Sequence, residues 1–251
     1  MIRTVAETGS TNADMLELAR SGVDGGLWLR AERQTQGRGR QGRAWESPTG
    51  NLYASTLVRL RPSDPVAATL ALVAAVALEE SVGVHLFPGE GWGPGASGPI
   101  TDTGLRPGTT LKWPNDLLLD GAKLSGILLE RAADAVVIGV GVNLAEHPDL
   151  PGRAITSLAA HGVQVEPERF LETLAEGFAR WLARWRGDGL APIRQRWLER
   201  AHPPGTALTA RLPDGSALNG LFDGLDRDGA LILRLADGTR RVIHAGDVFL
   251  I

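Results

Sequence analysis

The sequence predicts an α+β protein: a sheet packed with helices up to residue 202, then a small β-barrel over residues 203–251. Three observations predict it. Apolar strand-like runs and helix-period runs both occur before residue 203. The texture changes at His202-Pro203-Pro204-Gly205. Beyond it, Asp-Gly turn signals recur at Asp214-Gly215, Asp223-Gly224, Asp228-Gly229 and Asp237-Gly238 between short alternating runs. About five short strands fit there, the size of a small barrel. A chain of 251 residues has room for one sizeable core with such a satellite.

The elements follow in order. Thr11–Arg20 (TNADMLELAR) carries helical apolar spacing behind a Thr-x-x-Asp capping box of Thr11 and Asp14. Leu27–Arg33 reads as a strand entering a Gly/Arg loop, and Asn51–Leu60 as another, bounded by the turn Ser47-Pro48-Thr49-Gly50. Asp64 and Pro65 are suited to N-cap and N1 of a helix reaching Val82, apolar on nearly all sides and so deeply buried. Phe87–Gly108 is rich in Gly and Pro, has no periodicity and reads as a mobile surface insertion. Strands are expected at Thr110–Trp113, Lys123–Glu130 and Ala135–Val142, the last two apolar enough for a covered sheet. Helices follow at Pro167–Arg186 and Pro192–Arg200, the first grouping Phe170, Leu174, Phe178, Trp181 and Trp185 on one side.

Composition narrows the chemistry. With no cysteine, disulfides, thiolate catalysis and Cys-built zinc sites are excluded. A net charge of -3 gives no global attraction to nucleic acid. The N-terminal residues lack the apolar core of a signal peptide, and Pro65–Leu78 is too short and alanine-rich to span a bilayer comfortably. A cytoplasmic protein without membrane association is expected.

Four segments bear chemistry. In Gly37-Arg38-Gly39-Arg40-Gln41-Gly42-Arg43, glycines let backbone N–H groups converge and arginines add forked donors, an anion cradle. The same letters fit a solvated basic loop or an Arg/Gly tract touching RNA, and the spacing is not that of a Walker loop. In Lys112-Trp113-Pro114-Asn115-Asp116, the proline forbids a regular central strand, so the backbone must bulge or turn. Asp116 can then hold Mg²⁺ and Asn115 a nucleotide, although Asn-Asp turn chemistry explains the pentapeptide equally. Lys123 opens an apolar strand with Gly126 three residues on, positioned for a phosphate or merely guarding a strand end. In Gly139-Val140-Gly141-Val142-Asn143-Leu144 the glycines thin the strand where something flat can lie, or where strands cross tightly, and Asn143 can donate to and accept from a base.

Together and in this order, these segments make the sequence resemble the biotin–protein ligase family. The matching strings are Gly9-Ser10-Thr11-Asn12, Gln34 with Gly37–Gly42, Trp45 with Gly50-Asn51-Leu52-Tyr53, Lys112–Asp116, Lys123–Glu130 and Gly139–Leu144, with Ala245-Gly246-Asp247-Val248 near the end. The resemblance implies a mixed sheet of the class II aminoacyl-tRNA synthetase and biotin ligase type, with an SH3-like C-terminal barrel. It implies activation of biotin by ATP and Mg²⁺, then transfer to a lysine of a biotin carboxyl carrier protein or domain of a biotin-dependent carboxylase. Ser10, Thr11, Gln34, Gly37, Arg38, Arg40, Lys123 and Gly126 would meet biotin. Arg38, Arg40, Trp45, Asn51, Lys112, Asn115 and Asn143 would meet the nucleotide, and Asp116 the metal. Arg40 and Lys123 would be catalytic. A homodimer is implied, and DNA binding is not, because the sequence starts directly at the catalytic domain. Residues 145–160 hold none of the aromatics with which some relatives cover the adenine. A lipoate or other acyl ligase of the same superfamily is the nearest alternative, and an RNA-binding module the next.

Overall fold

A computed structural model describes residues 1–87 and 108–251, so the expected insertion lies, apart from its two ends, outside the described residues. Seven strands form the main sheet: β1 (Ile2–Thr8), β2 (Trp28–Gln34), β3 (Leu52–Arg59), β4 (Thr109–Lys112), β5 (Asp116–Leu119), β6 (Ala122–Ala132) and β7 (Ala135–Val142). Their spatial order is β1-β2-β3-β7-β6-β5-β4. Only β1 and β2 pair in parallel; the other neighbours are antiparallel, so the sheet is mixed.

Side-chain alternation along the central strands gives the sheet two faces. Val136, Ile138 and Val140 join a large core with α2 (Leu70–Leu86), α3 (Pro167–Asp188) and α4 (Ala191–Leu198). Ala135 and Val137 face the other way and pack with Met15, Leu16 and Ala19 of α1 (Thr11–Arg20). Glycine at 139 and 141 continues that second face and leaves it hollow beyond α1. Helix α2 is buried almost throughout, as its uniform apolarity requires. Helix α3 lays its Phe and Trp stripe on it, with Trp181 Nε1 donating to Glu80 (2.8 Å) and Trp185 Nε1 to Thr69 (2.8 Å).

After α4 come β8 (Ala207–Arg211), β9 (Ala217–Leu225), β10 (Leu231–Arg234), β11 (Arg240–Ile243) and β12 (Asp247–Leu250), an antiparallel sheet in the order β11-β10-β9-β8-β12. These are the five short strands expected. The turns at Asp214 and Asp237 close because each carboxylate accepts the amide two residues on, at 2.9 Å in both cases.

Several local expectations differ from the structure. Thr11 and Asp14 form no capping box: Ser10 is the N-cap, without a side-chain cap bond, and Asp14 accepts from Thr8 Oγ1 (2.6 Å). Gln34, from a neighbouring strand, accepts the Thr11 amide instead (2.8 Å). Asp64 and Pro65 do not open α2, because Asp64 is held by the Arg61 amide (3.0 Å) and Arg186 (3.3 Å); a short 3-10 turn at Ala67–Thr69 precedes the helix. The helix also runs on to Leu86, past the expected end at Val82. Strand β5 starts at Asp116, the last residue of the stretch read as a proline-broken turn, and neither it nor β1 was expected. Asp223-Gly224 is no turn but lies inside β9, at a register irregularity, with Gly224 at φ 107°.

Candidate functional site

The hollow on the α1 face is a cavity of about 760 Å³. The strand register orders its lining. Gly139 lies beneath Asn12 of α1, because a Cβ there would sit 2.2 Å from Asn12 Oδ1. Gly141, one pleat on, and its partner Gly126 lie beneath the Trp45 indole, where Cβ atoms would come within 2.6 and 3.1 Å of ring carbons. Something flat does rest on those glycines, and it is a side chain of this protein. Beyond the indole stands Lys123, with Nζ 5.7 Å from the Trp45 ring centre.

One end of the cavity is neutral and polar. Thr11 Oγ1 lies 3.1 Å from Gln34 Oε1 and 2.7 Å from Ser55 Oγ, and Ser55 donates to Asn12 Oδ1 (2.6 Å). Asn12 Nδ2 donates to Glu130 (2.9 Å), which also accepts from Arg38 (3.2 Å), so the polar end is wired to the Gly/Arg loop. Burial pushes the nearby Tyr53 phenol well above its ordinary value, which keeps it a neutral donor, here to the Pro48 carbonyl (2.7 Å).

The other end is cationic. Lys123 Nζ donates to Asp116 Oδ1 (2.6 Å). Arg40 NH1 reaches Asn115 Oδ1 (3.4 Å), the Gly246 carbonyl (3.2 Å) and Asp247 Oδ1 (3.4 Å), and Arg43 pairs with the same Asp247. Lys112 stands 5.7 Å from the Phe249 ring; burial, the largest cause, lowers its pKa against the pull of Asp116. Asn115 clips its loop to β6 through Nδ2 to the Ile127 carbonyl (2.6 Å).

Ser10, Thr11, Gln34, Arg38, Arg40, Trp45, Lys112, Asn115, Asp116, Lys123, Gly126 and Asn143 all line this cavity. Gly37 and Asn51 do not. Gly37 serves the loop, since a Cβ there would lie 2.5 Å from the Trp45 carbonyl. Asn51 is buried and spends its side chain on residues 144–146: Oδ1 accepts the amides of Leu144 (2.9 Å), Ala145 (2.9 Å) and Glu146 (3.1 Å). It acts as a loop clamp and lies outside the cavity lining, where a nucleotide contact was expected. Asn143 reaches the cavity but commits Nδ2 to the Thr156 carbonyl (3.0 Å). Sequence reasoning missed Ser55 and Glu130, which bond lining residues from behind, and Arg153, Asp247 and Phe249 in the lining itself. The expected match at Gly246-Asp247 was the one available signal for the last pair.

The sequence profile of the biotin/lipoate A/B protein ligase family matches residues 6–143, and that of the biotin protein ligase C-terminal domain matches residues 206–251. A biotin–[acetyl-CoA-carboxylase] ligase of Paracoccus denitrificans is 43% identical over 98% of each chain. One of Mycobacterium tuberculosis is 36% identical over 97% of this chain and 86% of that one. A solved biotin protein ligase from Aquifex aeolicus, in complex with biotin and ATP, superposes with a TM-score of 0.82 at 23% identity, covering 100% of this chain and 99% of that one. That last likeness speaks to the fold.

Proposed function

The chain belongs to the biotin/lipoate A/B protein ligase family, and we propose that it activates biotin with ATP and transfers it to a lysine of a biotin carboxyl carrier protein in the cytoplasm. One observation carries this reading: a single cavity runs from neutral hydrogen-bonding groups, over a glycine floor, to a cluster of cations. Biotin has that polarity, with a neutral ureido ring, an apolar tail and a carboxylate. Ser10, Thr11 and Gln34 suit the ring, the Trp45 and glycine waist suits the tail, and Lys123 and Arg40 suit the carboxylate and the α-phosphate.

The chemistry then turns on charge. The carboxylate is ionised at neutral pH, so the first step needs no general base. A carboxylate oxygen bonds to the α-phosphorus and the bond to pyrophosphate breaks; Lys123 and Arg40 offset the negative charge that crowds there. The mixed anhydride so formed must be kept from water, a task suited to the arginine loop. The acceptor amine then attacks the carbonyl, AMP leaves, and an amide remains after loss of a proton.

Among the described residues no three His, Cys, Asp or Glu side chains gather as a metal cage. Asp116, with Oδ1 on Lys123, fits a magnesium ion that takes most ligands from phosphate and water. Bound there, the ion would neutralise triphosphate charge.

The experiment supplies the protein with ATP, magnesium and either biotin or lipoate, and follows pyrophosphate release and labelling of a carrier domain. Biotin-dependent release with labelling of one lysine is expected. Release with lipoate alone, or with neither acid, would overturn the reading.

A further inference from the structure

We propose that a relay of side-chain contacts, Thr156–His161–Asp120, positions Lys123 for the adenylation step; this rests on the function proposed above. Lys123 opens β6 ahead of the first β6–β7 pair, Ser125 with Val142, so β7 does not hold its backbone. On the β5 side it faces a register irregularity at Leu117 and Leu118. On the other side its strand neighbour is the short segment Ala154–Thr156: the Lys123 amide donates to the Ala154 carbonyl (2.8 Å), and the Thr156 amide donates to the Lys123 carbonyl (3.0 Å).

That segment belongs to no regular element, so side chains must fix it. Thr156 Oγ1 lies 3.0 Å from His161 Nε2, and His161 Nδ1 lies 3.4 Å from Asp120 Oδ2. Asp120 sits in the β5–β6 turn just before Lys123, its own amide bonded to the Gly108 carbonyl (2.9 Å). The relay therefore closes a ring: Asp120 to Lys123 along the chain, Lys123 to Thr156 across the backbone, and Thr156 through His161 back to Asp120. A shift of the Lys123 backbone must disturb a contact in it.

Hydroxyl, imidazole and carboxylate in line resemble a nucleophilic triad. Thr156, however, is buried (6% exposed) and does not line the cavity, whereas Ala154 and Ile155 beside it do. The relay has no route to substrate. Its effect passes through the lysine, where an ångström of misplacement costs on the order of 100-fold in rate.

His161→Ala is expected to slow single-turnover adenylation about fivefold to tenfold, a partial misplacement. Biotin affinity should stay within about twofold, because the polar end of the cavity is untouched. His161→Gln, whose amide can still meet Thr156 Oγ1, should recover most of the rate. The deciding measurement repeats His161→Ala in a Lys123→Ala background. If the relay acts through Lys123, the second change adds nothing there. Equal fold-losses in both backgrounds, or an undiminished rate in the first, overturn the proposal. Should His161→Ala not fold, Thr156→Ser against Thr156→Val carries the same comparison, with loss expected only for valine. A parent protein that releases no pyrophosphate from biotin and ATP is a separate result, visible without any variant, and bears on the function itself.

Discussion

The two walls of the cavity are both irregular chain, yet they are fastened in opposite ways. The arginine wall, residues 37–45, has internal backbone bonds such as Gly39 to Arg43 (2.7 Å) and Trp45 to Gly37 (2.9 Å). Many of its ties to the rest of the protein are arginine side chains, at 3.2 to 3.4 Å, onto Glu130, Asn115, Gly246 and Asp247. The facing wall, residues 143–161, is tied by its backbone. Asn51 holds three of its amides, and Lys123 brackets Thr156 and Ala154. Partly exposed charge contacts are screened and can be exchanged for a ligand anion. Buried backbone bonds cannot be exchanged without a desolvation cost. One wall is therefore built to trade partners and the other to stay as a template.

The largest effect should come from breaking the fixed wall. Asn51→Ala strands three amides of residues 144–146, and a loss of about 3 kcal/mol in folding stability is expected. Denaturant unfolding checks it, and a loss under about 0.5 kcal/mol would mean that this wall stands without its clamp. On the trading wall, Asp247→Ala removes the ion-pair partner that Arg40 and Arg43 share. Stability should change by less than about 1 kcal/mol, while the adenylate leaves about tenfold faster. Intermediate trapping with rapid dilution reads that rate; unchanged retention would show that the loop closes without the C-terminal sheet.

A smaller effect sharpens the contrast without mutation. Hydrogen exchange with and without the biotinyl adenylate should show new protection at residues 37–43 and almost none at 143–158. Equal gains on both sides would erase the distinction. The smallest effect lies next to the cavity, where Lys112 neighbours His202. Burial lowers the His202 pKa, with Lys112 adding to the fall, and burial likewise lowers that of His85. Each is held neutral when folded, so the stability it contributes is complete above the ordinary histidine range. It is lost as pH falls through that range toward the depressed folded values. The expected loss from about pH 7 to about pH 5.5 is under about 1 kcal/mol, and His202→Gln should reduce that slope.

The same contrast separates what could be read in the sequence from what could not. The arginine wall was legible because its chemistry is local: Gly37 to Arg43 spell an anion cradle in seven consecutive letters. Lys123 at the head of an apolar strand and the glycines of β7 were legible for the same reason. The fixed wall was not, because its bonds join distant positions; Asn51 and the amides it holds are 93 to 95 residues apart. Thr11 shows how local rules fail beside a site. Its spacing to Asp14 promises a capping box, but Gln34, 23 residues away, takes the amide. Strand β5 was lost to Pro114, since a proline that breaks one strand says nothing of the strand that starts two residues later. The five strands after residue 203 were legible as a set because Asp-Gly turns are local, and Asp223-Gly224 misled because a bulge uses the same glycine.

Helix α2 carries a consequence beyond the site. With its lead-in turn it is long and apolar enough, by length and composition alone, to cross a membrane, and in the native state that surface is sealed under α3, α4 and the sheet. A nascent or heat-loosened chain that has not yet docked those partners displays a greasy rod, whose attraction to bilayers, chaperones and other unfolded copies outruns any catalytic defect. Damage at the α2–α3 seam should therefore appear as precipitate and lost yield, with a scan-rate-dependent melting point, even when every residue of the cavity is intact.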